Sequence, residues 1–268
     1  KYHGADEYDY RENSIYKTYL ACDAVSDEIL LRNHYRCNEK IIDFNNKKYY
    51  NSKLQVHSDS REKQPLVYVN VVGGQSDIKN TSPAEVEEIM HYAAENQDKS
   101  IAVITPFVNQ RMLIEQGIRE NGFEHVVCGT VHAFQGDEKD VVLFSTALSD
   151  RTGKGTYDWL KNNKELINVA TSRAKDKLIL LADEKELERL HQGNEDDDLY
   201  ELVQYVKTNG ESKITEKHVS SRALGIQPFS TETETAFLKN LTHALENIWL
   251  TRNRYTIHKE VAISQVFK

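Results

Sequence analysis

The chain has 268 residues, of which 39% are hydrophobic, so it is long enough to bury one large core or two small ones. Its 42 acidic residues outnumber its 34 lysines and arginines, and the formal charge of -8 argues against a protein that coats duplex nucleic acid non-specifically. A local groove for nucleic acid is compatible with this balance, because much of the acid lies in the runs 183–188 and 195–198, which we interpret as solvated surface.

The cysteines and the apolar runs limit the compartment. Cys22, Cys37 and Cys128 form no CxxC pair and are odd in number, which favours a reduced compartment, and we expect a cytoplasmic protein. No apolar run approaches membrane-spanning length and the start carries no signal-peptide pattern, so we expect no membrane partner. The chain begins at Lys1 without Met and ends just after an apolar alternation, and we expect both ends to be cuts in a longer protein.

In chain order, residues 1–28 are polar and rich in tyrosine and are predicted to form a lead-in arm. A helical period follows, ending near Leu54, and the β-branched run 66–72 predicts a strand. Ser82, Pro83 and Glu85 predict a helix start in which Ser82 caps and Glu85 reaches back as a capping-box partner. The remaining predicted elements are strands at 101–107, 126–131, 141–148 and 177–182, a helix from about 109 to a stop at Gly122, and a helix over 168–174.

Strands that alternate with helices predict an α/β fold with a mostly parallel sheet covered on both faces. Ligands bind at the carboxyl ends of strands in such sheets, and we expect the polar motifs there. We predict a main domain over 29–205 and a linker over 206–229. A capped amphipathic helix and an alternating segment in 230–268 predict a small partial C-terminal α+β unit.

Four blocks of sequence are more specific than this pattern. They are LLRNHYRCNEKIIDFNNKKYYNSKL (30–54), IAVITPFVNQ (101–110), GTVHAFQGDEKDVVLFS (129–145) and INVATSRAKDKLILLAD (167–183). In this order they resemble the second RecA-like motor domain of superfamily-1 helicases, and most closely the branch containing the nonsense-mediated RNA decay helicase. The resemblance covers roughly residues 28–190. It implies a three-layer RecA-like P-loop NTPase fold in an ATP-dependent DNA or RNA helicase, bacterial in style.

The resemblance implies that Arg173, in the last block, is an arginine finger and that Arg36 is a second such arginine. A planar, permanently charged guanidinium offers paired donors to the charge that develops on a transferring γ-phosphoryl group. Both side chains are therefore expected to face one cleft. On residue type alone, Arg173 is explained more simply as a surface charge or as a member of an ordinary salt bridge.

The third block carries the other residues implied to bind nucleotide. Glu138 is similar to the family glutamate that accepts hydrogen bonds from the nucleotide sugar, and Gly136 permits a tight turn beside it. The alternative for Glu138 is a loop carboxylate next to Lys139. We expect no metal ligand here, because no cysteine or carboxylate cluster accompanies His132.

The resemblance also implies contacts with single-stranded nucleic acid. In the third block, Thr130, His132 and Gln135 suit phosphate contacts and coupling to the nucleotide, although His132 reads equally as a histidine that braces the loop. In the second block, Thr105 and Gln110 are placed on the strand path with contacts to the backbone, which suits tracking along any sequence. The aromatic ring between them, at Phe107, is also typical of a core residue.

The parts that bind ATP tightly are missing from this sequence. Gly153–Thr156 reads GKGT, but a phosphate loop needs GxxxxGK followed by Ser or Thr, and we interpret this segment as a flexible loop. The run LILLADE (178–184) is interpreted as the strand after the arginine block. We therefore expect ATP and Mg²⁺ to act in the full-length protein, bound by a first RecA-like domain of the same polypeptide. The chain alone is expected to bind no ATP tightly and to be inactive.

Two other functions stay open at this point. The domain reads alternatively as a non-catalytic scaffold that binds nucleic acid or a partner. The C-terminal unit resembles the entry to a restriction-endonuclease-like module, which makes a helicase–nuclease fusion a third possibility. Such nuclease sites need clustered carboxylates and a lysine, and only Glu232, Glu234 and Glu260 are nearby, so a capped helix on a small sheet explains the segment more simply.

Overall fold

The computed structural model describes residues 8–9, 11, 13–22, 30–73, 76–130, 134, 138–193 and 196–215. The chain divides into two compact units, Lys1–Asn33 and His34–Lys268. The first contains helix α1 (Ile15–Cys22), whose Ile15 and Tyr19 side chains are exposed. The predicted unit at 230–268 lies outside the described residues.

The second unit is built on a six-stranded sheet in which every pairing is parallel. The strand order is β5-β4-β6-β7-β3-β8. The strands are β3 (Leu66–Asn70), β4 (Ile101–Ile104), β5 (Val126–Gly129), β6 (Lys139–Ser145), β7 (Ala174–Ala182) and β8 (Glu211–Ile214). Apart from this sheet, β1 (Asn33–His34) and β2 (Gln55–Val56) form a two-stranded one.

Helices cover both faces of the large sheet. Helices α3 (Pro83–Glu95) and α4 (Val108–Asn121) pack on one face, in a core that includes Ile89 and Ile114. The opposite face carries a larger core and the helices α2 (Glu39–Tyr49), α5 (Lys154–Lys161), α6 (Lys164–Ser172), α7 (Glu184–His191) and α8 (Asp198–Asn209). The predicted three-layer α/β architecture is confirmed.

The predicted helix ends can be compared with the observed caps. The Ser82 hydroxyl caps α3 by accepting from the Glu85 N–H at 3.3 Å, as predicted. The reciprocal half of the capping box is wrong, because the Ser82 N–H donates to the Gln110 side chain instead. Helix α4 ends at Gly122, whose φ of 68° lies in the left-handed region that glycine adopts without strain.

Three segments differ from the prediction. The GKGT stretch is not a flexible loop, because Gly153 is the N-cap of α5. The acidic runs are not simply solvated: Asp183 and Asp197 are buried N-caps of α7 and α8, where their carboxylates accept from helix N–H groups. The linker predicted to begin at 206 is also wrong in its first part, because α8 continues to Asn209 and β8 then joins the sheet beside β3.

All six strands are parallel, so they all begin at one end of the sheet and finish at the other. We call these two ends the amino edge and the carboxyl edge. Glu138 directly precedes β6 and Arg173 directly precedes β7, so both lie at the amino edge. Thr105 follows β4 and Thr130 follows β5, so both lie at the carboxyl edge. Among the described residues, no helix is long and apolar enough to cross a membrane.

Candidate functional site

The amino edge of the sheet brings two distant sequence blocks into contact. The Arg36 Nε–H donates to Glu138 Oε2 at 2.8 Å, and Arg36 Nη1 donates to the Ser172 carbonyl at 3.4 Å. Ser172 is the last residue of α6, and Arg173 is its C-cap. The Lys139 N–H donates to the Arg173 carbonyl at 3.2 Å, which fixes the segments bearing Glu138 and Arg173 side by side. Three predicted site residues, Arg36, Glu138 and Arg173, are therefore neighbours.

The Cys37 side chain lies next to the group formed by Arg36, Glu138 and Arg173. Its thiol is fully buried and donates to the Ser172 carbonyl at 3.2 Å. Burial raises the pKa of the Cys37 thiol to about 12, and the charges of Arg36, Glu138 and Arg173 all act on it, the two arginines lowering it and the glutamate raising it. All three charged groups are thus close enough to act on one sulfur atom.

His34 shares this environment. Burial, and then the charge of Arg36, lower the pKa of the His34 imidazole, which favours its neutral form. Neutral imidazole keeps a lone pair, and His34 Nε2 accepts the Cys37 N–H at 3.0 Å. This histidine therefore braces the turn that presents Arg36.

Contacts between α2 and α6 position the two arginines. The Asn38 N–H, at the cap of α2, donates to the Lys175 carbonyl at 2.8 Å, just after the C-cap of α6. Deeper in the interface, Asn45 Nδ2 donates to Thr171 Oγ1 at 2.7 Å, and both side chains are fully buried. A buried, satisfied polar pair fixes one register between two helices, because any slip leaves its donors unmet. Arg36 and Arg173 are held at the ends of these two helices.

The placement corrects one expectation about the site. Ligand-binding residues were predicted at the carboxyl ends of the strands, whereas Glu138 and Arg173 precede their strands. These two residues therefore lie at the opposite edge from the one expected for a simple doubly wound sheet. The sequence shows that a polar motif adjoins a strand. Which edge of the sheet carries the motif depends on whether it precedes or follows that strand and on the direction in which the strand runs.

The amino-edge residues bring hydrogen-bond donors and an acceptor to one region. Guanidiniums can donate to anionic oxygens such as those of a phosphate, and the Glu138 carboxylate, whose side chain is 54% exposed, can accept from hydroxyl groups. Within the described residues, no three His, Cys, Asp or Glu side chains are grouped to hold a metal ion, and we assign no metal ligand here.

The carboxyl edge holds its predicted residues differently. Thr105 and Gln110 are both completely buried. Gln110 Oε1 accepts the Ser82 N–H at 2.8 Å, and Gln110 Nε2 donates to Ser145 Oγ at 3.0 Å. Neither of these two predicted contacts for single-stranded nucleic acid presents a polar side-chain atom to solvent in this conformation. We therefore assign Gln110 a structural role and do not retain it as a direct contact for nucleic acid.

A buried carboxyl group completes this network, and the sequence reading missed it. Glu85 accepts from Ser145 Oγ at 2.6 Å and from the Ala147 N–H at 3.1 Å. Ala147 has a φ of 51°, which costs a residue with a Cβ about 1 kcal/mol, and the hydrogen bond to Glu85 holds it there. Burial raises the pKa of Glu85 to about 8, with the hydrogen bonds from Ser145 and Ala147 opposing that rise. The only sequence signal was a carboxylate in a first helical turn, which also fits a cap.

The segment between Thr130 and Glu138 joins the two edges. Thr130 is half-buried at the carboxyl edge, and Phe134 is buried in the larger core. His132, Gln135 and Gly136 lie outside the described residues, and their assignments stay predictions.

Two exposed aromatic residues were also missed. Tyr35, next to Arg36, is 67% exposed, and its ring stacks on His57 with centroids 5.1 Å apart. Trp159, on α5, is 49% exposed and contacts Phe107. Phe107 itself is 7% exposed, in agreement with its reading as a core residue. The available signal was an aromatic residue next to a charged one: Arg36 follows Tyr35, and Asp158 precedes Trp159.

Comparison with known proteins agrees with this architecture. Residues 12–185, more than half of the chain, match the family model described as an AAA domain. A putative helicase mov-10-B.1 from Danio rerio is 28% identical over 57% of this chain, and an uncharacterized ATP-dependent helicase from Methanocaldococcus jannaschii is 28% identical over 70%. A regulator of nonsense transcripts 1 homolog from Drosophila melanogaster is 32% identical over 42%.

The chain spans 19%, 31% and 10% of the lengths of these three relatives, respectively. The family match covers the sheet from β3 to β7 and both arginine segments. The chain belongs to the AAA domain family and is a superfamily-1 helicase-like domain.

Proposed function

We propose that this chain is the second motor domain of an ATP-dependent helicase acting on single-stranded DNA or RNA. The observation that carries the proposal is the amino-edge cluster, where Arg36 contacts both Glu138 and the residue before Arg173. Two arginines and one carboxylate from three sequence blocks meet at a partly exposed edge, as expected of one half of a nucleotide cleft. The other half would come from the first motor domain of the same polypeptide.

When bound by the first domain, ATP supplies the γ-phosphoryl group whose transfer to water is the reaction. Arg36 and Arg173 would donate to its oxygens, and their fixed positive charge would stabilise the charge that develops during transfer. Arg36 is held by Glu138 in the present conformation. An approaching phosphate would compete for the same donors, and the released Glu138 carboxylate would be available to sugar hydroxyls.

Cleft closure would couple this edge to the nucleic acid. The α2–α6 contacts make the segments that carry Arg36 and Arg173 one rigid body, so recruitment of both arginines would move the sheet and the residues at its carboxyl edge together. Thr130 would be the first residue of the segment that connects the two edges. Loss of the γ-phosphate would release both arginines and reopen the cleft.

The test is ATP hydrolysis by the full-length protein, measured at steady state with saturating single strand. Arg36→Gln and Arg173→Gln remove a charge and keep most of the side-chain volume. Each is expected to lower kcat by about 10³-fold, the lower end of the range for arginine fingers. Arg119→Gln is the matched control, because this exposed arginine lies in the last turn of α4, outside the Arg36–Glu138–Arg173 group.

Normal turnover in both amino-edge variants would overturn the proposal and favour the scaffold alternative. The chain alone is predicted to hydrolyse no ATP, and strand-stimulated turnover by the purified chain would contradict the division of the site between two domains. Unchanged unfolding midpoints would show that the variants are folded.

A further inference from the structure

An exposed aromatic ring stands at the carboxyl edge of the sheet, beside the segment predicted to follow the nucleic-acid strand. Trp159 lies on α5 and is 49% exposed. Its ring centroid is 6.1 Å from that of Phe107, at an interplanar angle of 43°. Phe107 is buried at the start of α4, directly after Thr105 and Pro106. The indole is therefore supported by the core on one side and open on the other.

Gly155 lies one turn before Trp159 on α5. A Cβ added at Gly155 would meet no heavy atom within 4 Å among the described residues, so the surface at this turn is open. Lys154, next to it, is exposed and places a cation at the same turn.

Next to Trp159, the neighbouring helix α4 exposes apolar side chains. The predicted polar contacts, Thr105 and Gln110, are buried, whereas Val108 and Met112 on α4 are 55% and 56% exposed. A flat ring with no exposed polar partner suits contact with the face of a base better than a contact with its edge.

The surrounding charge favours a nucleic acid over an apolar protein surface. Lys154 and Arg151 are exposed on the segment that leads into and begins α5, and Lys79 is exposed on the loop whose carbonyl accepts from Asn109 of α4. The acid on the same helix, Asp158, is paired with Lys161 at 3.2 Å. The same two segments also expose Asp77 and Asp150, and Asp150 accepts from the Ser76 N–H at 3.2 Å. Exposed cations on the segments next to an exposed indole suit a base attached to a phosphodiester backbone, since the ring can take the base and the cations the phosphates.

We propose that Trp159 stacks on a base of the single-stranded nucleic acid that crosses the carboxyl edge. This inference rests on the proposed function and names a residue that grips the strand. Stacking reads no sequence, because every base has a π-face, and it therefore suits a motor that moves along any strand. Trp159 would contact a base through the face of its ring. Gln110, which is fixed in the interior, would not reach the nucleic acid.

The chain has only two tryptophans, which makes the test direct. In a Trp249→Phe background, Trp159 is the sole indole, and titration with oligo(dT) and oligo(U) should quench its fluorescence saturably. Anisotropy of the same end-labelled oligonucleotides measures affinity in parallel. Trp159→Ala is expected to weaken the affinity about tenfold or more, the effect of losing one stacked base.

Two further variants separate stacking from bulk. Trp159→Phe keeps a π-face and should stay within about threefold of the parent affinity, whereas Trp159→Leu keeps apolar volume alone and should resemble Trp159→Ala. Wild-type affinity in Trp159→Ala or Trp159→Leu would overturn the stacking contact and leave the proposed function intact. If the parent chain binds neither oligonucleotide, the strand contact of the proposed function fails, and stacking fails with it. Loss of a protein partner with unchanged strand affinity would make Trp159 a protein-docking residue instead.

Discussion

The amino and carboxyl edges of the central sheet treat their polar side chains in opposite ways. At the amino edge, Arg36 and Glu138 contact each other at a partly exposed surface. At the carboxyl edge, Gln110 and Glu85 are sealed in the interior by Ser82, Ser145 and Ala147. The seven-residue strand β6 separates the edges by about 20 Å at its usual rise per residue.

This difference teaches that one family resemblance can point to residues with different physical tasks. An exposed ion pair is easily exchanged for a ligand, because solvent already competes for both partners. A buried network resists exchange, because every partner that is removed leaves a donor or acceptor unmet. The amino edge is therefore suited to exchanging its ion pair for a ligand, and the buried part of the carboxyl edge to holding a loop in place.

The largest expected difference between the two edges is the pH dependence that Glu85, at the carboxyl edge, gives to the free energy of unfolding. Its ordinary pKa is 4.5 and its folded pKa is raised to about 8, so between these values the folded chain keeps a proton that the unfolded chain has lost. The stabilisation is complete below about pH 4.5 and is lost as the pH rises through 8. In urea unfolding, the wild type should lose roughly 2–3 kcal/mol relative to Glu85→Gln between about pH 5.5 and about pH 7.5.

Glu88→Gln is the matched control for that experiment, as a carboxylate one turn further along α3. It removes a carboxylate from the same helix and leaves the buried contacts of Glu85 with Ser145 and Ala147 in place. A constant difference between Glu85→Gln and the wild type would show that Glu85 ionises normally, and the carboxyl edge would then lack its buried anchor.

The next effect comes from Gln110. In Gln110→Ala the buried Ser82 N–H loses its acceptor, and the Ser145 hydroxyl, which still donates to Glu85, loses a donor. The free energy of unfolding should therefore fall by about 1–2 kcal/mol. Asn109→Ala, on the same turn, removes an exposed hydrogen bond to Lys79 and should stay within about 0.5 kcal/mol. The affinity of the folded Gln110→Ala chain for single-stranded nucleic acid should be unchanged. A tenfold loss of affinity with unaltered stability would restore Gln110 as a direct strand contact.

The smallest effect is expected at the amino edge. Glu138→Gln removes one charge from an ion pair that is partly exposed on both sides, so the free energy of unfolding should change by less than about 1 kcal/mol. Glu115→Gln, which weakens the Arg111–Glu115 pair on α4, should behave alike. If Glu138→Gln cost several kcal/mol, the pair would be a structural brace, and its exchange for a ligand would no longer be a reasonable step.

Local patterns were sufficient for the elements that they encode. The run 66–70, the cap at Ser82 and the stop at Gly122 all agree with the structure, because propensity, capping and hydrophobic pattern point the same way there. The acidic runs misled, because a carboxylate that caps a helix has the same sequence appearance as one in solvent. Asp183 and Asp197 are buried for that reason.

The residues of the candidate site also divide into those whose placement agrees with the sequence-based expectation and those whose placement does not. The resemblance selected Arg36, Glu138 and Arg173, which the fold brings together across more than a hundred residues of sequence. It also selected Gln110, whose burial depends on Ser82 and Ser145, 28 and 35 residues away, and no local pattern contains that information. Trp159 was overlooked because its position depends on how α5 packs on Phe107, which comes from another element.

The most direct test of the division between the edges is the affinity of single strand for the full-length Arg173→Gln protein, measured without nucleotide. If the amino edge acts on nucleotide alone, this variant should bind a labelled oligonucleotide within about twofold of the wild type while its ATP turnover is lost. A tenfold or greater loss of strand affinity, with the fold intact, would contradict the account and place Arg173 on the strand.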